Sequence, residues 1–277
     1  MNKKPGDLVI SIISYLFIGA SLLFFLFPVF WMFLTSIKPP QDVFAIPPKW
    51  IFKPTWVNYT TAFVKKDYLK YLWNSFFITS ISVIVATVIA AMAAYVTARF
   101  RFKGKNTMLL GLLVFYTMPG IAYAIPLFLW FSALKIIDTP LALIIVFTAL
   151  TIPFATWVLN GYFVSIPRDL EEAAMIDGCS QWGALFRVVL PLAAPGVAAT
   201  AILTFIGTWN SFLYPAILAG SKTITLPTAI ATFITNTSIE WGQAAAIASV
   251  IIIPVVILVL LGQRYIIMGL VSGAVKE

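Results

Sequence analysis

Long apolar runs alternate with short polar punctuation along the chain. Six runs reach the roughly 20 residues that a ~30 Å hydrocarbon layer requires at ~1.5 Å per helical residue. They cover 8–34, 72–98, 107–131, 140–163, 192–219 and 242–263, and none contains Asp, Glu, Lys, Arg or His. A lipid interior offers backbone groups no water, so spans this long and continuous are predicted as helices, not barrel strands. The expected architecture is an all-α integral membrane bundle of six transmembrane helices, one domain over 1–277. The first run follows Lys3 and Lys4, but it exceeds a signal-peptide apolar region and no A-x-A site follows, which predicts an uncleaved helix.

Between the fourth and fifth runs the pattern changes. Residues 171–191 read EEAAMIDGCSQWGALFRVVLP, and Asp169, Glu171, Glu172 and Asp177 place four of the chain's ten carboxylate side chains within nine positions. The punctuation predicts two short helices across 165–191. Ser165 is placed to cap the first, Pro167 suits its first turn, and the acids Asp169, Glu171 and Glu172 lie at the positive end of its dipole. Gly178 suits the left-handed turn that ends it. Ser180 is placed to cap the second, where Trp182, Leu185, Phe186 and Val189 recur at i, i+3, i+4 and i+7 as one apolar face. This segment reads in two ways. It is a docking element for a partner outside the membrane, with Glu172 beside the small Ala173 and Ala174 meeting a cation, or an amphipathic loop that covers the bundle.

Composition agrees with a bilayer: 61% of the residues are hydrophobic and 10% charged, against about 25% charged in soluble domains. The net charge of +8 is strung along membrane-flanking loops and does not cluster with exposed aromatics, so anionic lipid headgroups are the expected partner and nucleic acid is not. The single cysteine, Cys179, forms no internal disulfide. The connection 99–106 (RFRFKGKN) carries Arg99, Arg101, Lys103 and Lys105 without an acid, whereas 132–139 and 220–241 carry one Lys each. The positive-inside rule puts 99–106 in the cytoplasm, together with both termini and the acidic segment 164–191. Residues 35–71 dissent, with six lysines against two aspartates; five prolines among Trp50, Phe52, Trp56 and Tyr59 predict an ordered outer cap.

With no ionisable residue in the spans, relay or voltage-sensing chemistry has no support. Their polar groups are neutral: Asn74, Thr117, Asn160, Thr204, Thr208, Asn210 and Ser211, accompanied by Tyr116, Tyr123, Trp209 and Tyr214. Such groups suit a neutral polyol or sugar, and equally serve as interhelical bonds or interfacial anchors. Asn210 beside Trp209 is the leading path candidate, because an amide in mid-span needs partners; Tyr116, Tyr123 and Thr208 accompany it. Pro119, Pro126, Pro153 and Pro254 fall within spans, as packing kinks or points of bending. No glycine-rich phosphate loop, histidine cluster or paired nucleophile and base is present, so the chain is not read as an enzyme.

The spacing E-A-A, three residues, Gly, nine residues, an aliphatic residue, one residue, Leu-Pro resembles the EAA signature of ABC-importer permeases. Here it is Glu172, Ala173, Ala174, Gly178, Val188, Leu190 and Pro191, with Val188 where the signature usually has Ile. NSFFITS (74–80), AAYVTARFRFKGK (93–105), TWNSFLYP (208–215) and QRYIIMGLVSGAVKE (263–277) resemble the second, maltose-type six-span permease of carbohydrate-uptake ABC importers. The resemblance implies a cell inner membrane subunit whose 165–191 helices dock on an ATPase, through Glu172, Ala173, Ala174, Asp177, Gly178, Trp182, Leu190 and Pro191. It implies two ATPase subunits that carry ATP and Mg, a second, different permease, and an extracytoplasmic sugar-binding protein. It implies no cofactor on this chain. The outer connection 220–241, with Thr225, Leu226, Pro227 and Thr228, corresponds to a segment reaching into the binding protein; the alternative is a re-entrant or interfacial helix. A single-chain secondary carrier for a neutral solute is the competing class, although no internal repeat supports it, and a membrane scaffold subunit is a third. Copurified partners separate the three.

Overall fold

Every regular element among the residues that the computed structural model describes, 5–233 and 240–274, is helical. In chain order these are α1 (Pro5–Ser36), α2 (Pro40–Val43), α3 (Val57–Tyr59, continued by a wide π turn over Thr60–Lys65), α4 (Tyr68–Arg99), α5 (Lys105–Thr117) and α6 (Gly120–Ala133). There follow α7 (Pro140–Ser165), α8 (Asp169–Ile176), α9 (Gln181–Trp209), α10 (Leu213–Leu218), α11 (Leu226–Ala229, followed by a 3₁₀ turn over Ile230–Phe233) and α12 (Trp241–Ala274). Helices α1, α4, α7, α9 and α12 are long and apolar enough to cross a membrane, and α5 with α6 forms a sixth, bent candidate. Residues 234–239 of the outer connection and the chain ends 1–4 and 275–277 lie outside the described residues.

Two expected spans differ. The run 107–131 is two helices meeting at 90°. Pro119 causes the break: it disfavours helical geometry at Met118, which is extended (φ −65°, ψ 140°), and has no N–H to give the Phe115 carbonyl. The Tyr123 hydroxyl donates to that carbonyl instead, at 2.9 Å. The fifth helix is displaced relative to 192–219: it begins at Gln181 and ends at Trp209. Pro191 and Pro195 remove donors near its start, and the turn just before them, Leu185–Val189, widens to π geometry. At its end Asn210 turns its own amide back on the Ile206 carbonyl at 2.9 Å, and Pro215 denies a helical bond to the Ser211 carbonyl, so α10 starts afresh.

The chain divides into two compact units, residues 1–68 with 230–252 and residues 69–229 with 253–277. In the first, the outer segment after α1 is ordered. Asn58 donates to the carbonyls of Ser36 and Lys38, both at 2.9 Å, and Ser36 Oγ meets Tyr59 Oη at 2.9 Å. Lys38 is buried, its ammonium 4.2 Å from the Trp31 ring centre and 5.4 Å from that of Phe52. Lys49 pairs with Asp42 and Lys66 with Glu240. Several of the lysines that weaken the charge vote are thus engaged in building the cap.

Among the described residues, two apolar clusters lie in the second unit. One packs Ala90, Ala91, Ala94 and Ala98 of α4 against Ala155, Leu159 and Phe163 of α7 and Leu185, Val189 and Ala193 of α9. The alanines let these helices approach closely, which is how membrane helices gain contact where lipid removes the hydrophobic driving force. Gly196 takes this furthest: a Cβ there would run into the Tyr162 ring. The other cluster gathers Ile78, Phe131, Leu143, Val146, Phe147, Tyr214 and Leu218.

In this unit Asp138, itself at φ +59°, clamps the loop after α10. Its Oδ1 accepts from the backbone N–H of Gly220 (2.8 Å) and Thr223 (3.1 Å) and from the Thr223 hydroxyl (2.8 Å), while the Lys222 N–H lies 3.2–3.3 Å from both oxygens. Partial burial works to raise the carboxyl pKa, but the Thr223 hydroxyl and the three backbone donors together outweigh it and hold the pKa below the ordinary 3.8. The unfolded chain therefore binds the proton first as pH falls. The clamp's stabilisation is complete above 3.8 and disappears as pH drops through the lower folded value. Asp138→Asn should cost about 1–3 kcal/mol at neutral pH, the worth of hydrogen bonds to a charged acceptor, and should flatten that acid-side loss. Thermal unfolding in detergent as a function of pH measures both.

Candidate functional site

The acidic segment hangs from the end of α7, which continues to Ser165. Ser165 does not cap the next helix: it lies in α7's last turn, its Oγ donating to the Tyr162 carbonyl at 2.7 Å. Arg168 is the N-cap of α8 and gives no side-chain cap bond. With Asp169, Glu171 and Glu172 in the first turn, α8 keeps its complement to the helix dipole. Its end is as predicted at Gly178, which has φ +89°. The Gly178 N–H meets the Met175 carbonyl and the Cys179 N–H meets the Ala174 carbonyl, both at 3.0 Å, a complete Schellman closure. Ser180 then caps α9, accepting from the Gly183 N–H at 3.1 Å.

The expected second short helix is the beginning of the fifth span, since α9 runs unbroken from Gln181. Its apolar residues divide accordingly. Leu185 and Val189 enter the α4–α7–α9 cluster, whereas Trp182 and Phe186 remain exposed. They divide because Leu185 and Val189 follow the side of α9 that meets α4 and α7, while the other two extend past the packed surface.

The two glutamates also divide. Glu171 is turned inward and pairs with Arg99 at the end of α4, the side chains being 7% and 6% exposed. Tyr95, one helical turn before Arg99, donates to Glu171 Oε2 at 3.1 Å and lies 3.4 Å from the Gln181 carbonyl. Arg99 also donates to the Ile166 carbonyl (3.2 Å), and Arg168 donates back to the Ala98 carbonyl (3.1 Å), supplying a partner that the last turn of α4 lacks. Glu172, one position on, points to solvent. Around it are exposed Ala173, Asp177 and Gly178, half-buried Ala174, and the apolar Leu170, Met175 and Ile176, the last 86% exposed. Leu190 is half-buried and Pro191 exposed. The result is an acid-and-apolar surface on a helix that is held from behind by a buried ion pair.

The substrate-path candidates are spread over several elements. Thr208 and Trp209 are buried, Trp209 stacking on Phe205 at 5.8 Å between ring centres. Asn210 is exposed at the C-terminus of α9, not in mid-span, so the premise that its amide needs a remote partner fails: Ile206 serves it. Tyr116 is exposed and stacks on Phe154 at 5.3 Å, and Tyr123 bridges the α5–α6 break. In the outer segment Thr225 and Leu226 are buried, with Pro227 and Thr228 half-buried; the Thr225 N–H bonds to Thr228 Oγ1 at 3.2 Å. The Leu226 N–H donates to Ser75 Oγ at 2.7 Å, and Asn74 donates to the carbonyls of Lys222 (2.9 Å) and Ile224 (3.0 Å).

Sequence reasoning gave Tyr95 no role, placed Glu171 only as a first-turn acid at the helix dipole, and counted Arg99 only as loop charge. The available signal was the i, i+4 spacing of Tyr95 and Arg99, which puts them on one face at the helix end, facing an excess of acid elsewhere in the chain.

Removing one partner of a buried pair strands the other charge, at about 3–5 kcal/mol, whereas changes at exposed charges stay within about 0.5 kcal/mol. Glu171→Gln should therefore lower the thermal midpoint of the purified subunit by several degrees, and Glu172→Gln should leave it nearly unchanged. Differential scanning of the two variants in the same detergent decides this.

Residues 86–270 match the family model of the binding-protein-dependent transport system inner membrane component. The chain is 39% identical over 272 residues to the trehalose transport system permease protein SugB of Mycobacterium tuberculosis, covering 96% of each. It is 37% identical over 264 residues to the sulfoquinovosyl glycerol transport system permease protein SmoH of Agrobacterium fabrum, covering 94% of this chain and 93% of that one. Among solved structures, a chain of a bacterial ABC transporter involved in the import of the acidic polysaccharide alginate superposes with a TM-score of 0.78 at 22% identity, over 96% of this chain and 99% of that one. That likeness concerns the fold; the family model and the two permeases concern descent. With a membrane bundle of matching architecture and an ordered acidic helix between its fourth and fifth spans, the chain belongs to the family of binding-protein-dependent transport system inner membrane components.

Proposed function

We propose that the chain is the six-span permease subunit of an ATP-driven importer, moving a sugar or oligosaccharide that an extracytoplasmic binding protein delivers. The observation that carries this reading is the presentation of α8. Buried Glu171 fixes the helix, leaving Glu172 and the apolar Leu170, Met175 and Ile176 outward, with Trp182 exposed across the Gly178 turn. An apolar surface of this kind beside an acid suits a partner with a groove and a cation at its edge. In this reading the partner is a pair of ATPase subunits that bind ATP and Mg, and a second, different permease completes the pathway. The sugar class rests on relatives named for trehalose and sulfoquinovosyl glycerol transport, and on spans whose polar side chains are neutral. The membrane is the cell inner membrane, and Arg99, Arg101, Lys103 and Lys105 with the acidic segment define its cytoplasmic side.

Glu172→Lys reverses the charge at the proposed contact without disturbing the Arg99–Glu171 pair. In the assembled complex it should reduce substrate-stimulated hydrolysis and uptake about tenfold, the loss of roughly 1.4 kcal/mol expected when a charged contact turns repulsive. Unchanged hydrolysis and uptake at equal assembly would remove the contact. Orientation has its own probe in Cys179, half-buried beside the Gly178 turn. A membrane-impermeant maleimide should label it in inverted vesicles stripped of ATPase and leave it unlabelled in intact spheroplasts; the reverse pattern would invert the topology.

A further inference from the structure

Helix α4 is tied at both ends by directional polar contacts. Near its start Asn74 bonds to the carbonyls of Lys222 and Ile224, and Ser75 accepts from the Leu226 N–H. At its end Tyr95 donates to Glu171, Arg99 pairs with Glu171, and Arg99 donates to the Ile166 carbonyl. Asn74 and Arg99 stand about 37 Å apart along one helix at ~1.5 Å per residue. The near end holds the outer segment, and the far end holds α8.

What lies between the anchors is unlike the other spans. Proline interrupts α1 at Pro28, α6 at Pro126, α7 at Pro153, α9 at Pro195 and α12 at Pro254, whereas α4 contains neither proline nor glycine over its 32 residues. Prolines and glycines are where helices bend. Apolar packing lets helices slide with little loss, but hydrogen bonds to particular carbonyls and a buried ion pair fix a helix in height and rotation. Helix α4 combines a stiff body with fixed ends.

We propose that α4 is a connecting rod that couples the outer segment 222–229 to the coupling helix α8, with Asn74, Ser75, Tyr95 and Arg99 as its positioning residues. The proposal rests on the functional reading given above for the two segments at its ends. A displacement of α8 by its partner shifts α4 along or about its axis and moves the carbonyls and N–H groups that Asn74 and Ser75 hold. By thermodynamic reciprocity, a partner that orders the outer segment biases α8 to the same extent.

Amide hydrogen exchange on the assembled complex in lipid nanodiscs tests the rod without relying on transport. Glu171→Gln should speed exchange in 222–229 as well as in 169–178. Asn74→Ala should speed exchange in 169–178 as well as in 222–229, each far-end change being about fivefold, the lower end of ordinary coupling. Asp138→Asn supplies the control, since the bonds by which Asp138 holds 220–223 involve no residue of α4. It should loosen the outer segment and, with the Asn74 and Ser75 contacts to α4 left in place, speed exchange in 169–178 less than Asn74→Ala does. Where Glu171→Gln fails to assemble, Arg99→Lys keeps the charge, breaks the planar fork, and carries the same expectation. Effects confined to the end that carries each substitution would overturn the rod, as would a far-end effect of Asp138→Asn equal to that of Asn74→Ala. In the same samples Asn74→Ala should lower the ratio of binding-protein-stimulated to basal ATP hydrolysis. If the wild-type complex shows no such stimulation, the functional reading of the segments falls, while the exchange rates still decide whether α4 links them.

Discussion

The buried pair between Arg99 and Glu171 is the constraint on which the arrangement of the acidic segment depends. Removing two charges from water costs several kcal/mol per ion, and their mutual attraction offsets that only when the remaining donors and acceptors are also satisfied. Tyr95 and the Ile166 carbonyl do so here. Geometry is the larger consequence. Adjacent helical residues lie about 100° apart around the axis at 3.6 residues per turn, so fixing Glu171 inward fixes Glu172 outward. An eight-residue helix is too short to hold its orientation by its own backbone bonds. The ion pair, the Schellman closure at Gly178 and the unbroken entry into α9 impose that orientation from three directions.

The spans themselves follow a different logic. Among the described residues of α4, α7 and α9, contact is built from alanine, glycine and hydroxyl side chains bonded within their own helices, such as Thr200 to the Gly196 carbonyl and Thr204 to the Thr200 carbonyl. These leave the helix surface small and the polar atoms satisfied. Asn160 is an exception, donating across to Thr97 of α4 at 2.8 Å. These helices thus pack closely through small residues, and their cross-helix polar ties lie both at the helix ends and within the span, where Thr148 Oγ1 donates to the Ser82 carbonyl at 3.4 Å.

The helical class and five long apolar helices were legible because a membrane span is a single long-range signal, uninterrupted by charge. The break in 107–131 was present in the sequence as Met118-Pro119, but proline within a span is compatible with a kink, and a 90° corner depends on Gly120. A Cβ at Gly120 would lie 2.9 Å from Tyr214 Oη, a contact between residues 94 positions apart. The cap at Ser180 and the turn at Gly178 were legible since both are local backbone requirements. Ser165 was misread because a cap and a last-turn serine differ only in whether the preceding helix has ended. Glu172 was chosen as the outward acid from its place beside Ala173 and Ala174, and the signature reinforced that choice, but nothing in EEAA says that Glu171 meets Arg99 some 70 positions earlier.

Asn210 shows how a mid-span amide can mislead. Its placement assumed a helix running to residue 219, within which an unpartnered amide would have to reach a neighbour or a solute. The side chain instead ends the helix by taking the Ile206 carbonyl, so its polar demand is met four residues away. The same group then leaves Thr208 and Trp209 at the last turn of α9, buried, and Ser211 and Phe212 in the gap before α10. A break in helical geometry within an apolar run leaves backbone groups that lipid cannot solvate, and irregular backbone at membrane depth is tolerated only where protein or a water-filled cavity surrounds it. Among the described residues of the second unit, the interruptions at 118–119 and 210–212 both fall within runs that the sequence presents as continuous. Gly120 and Tyr214 join the segments that follow them.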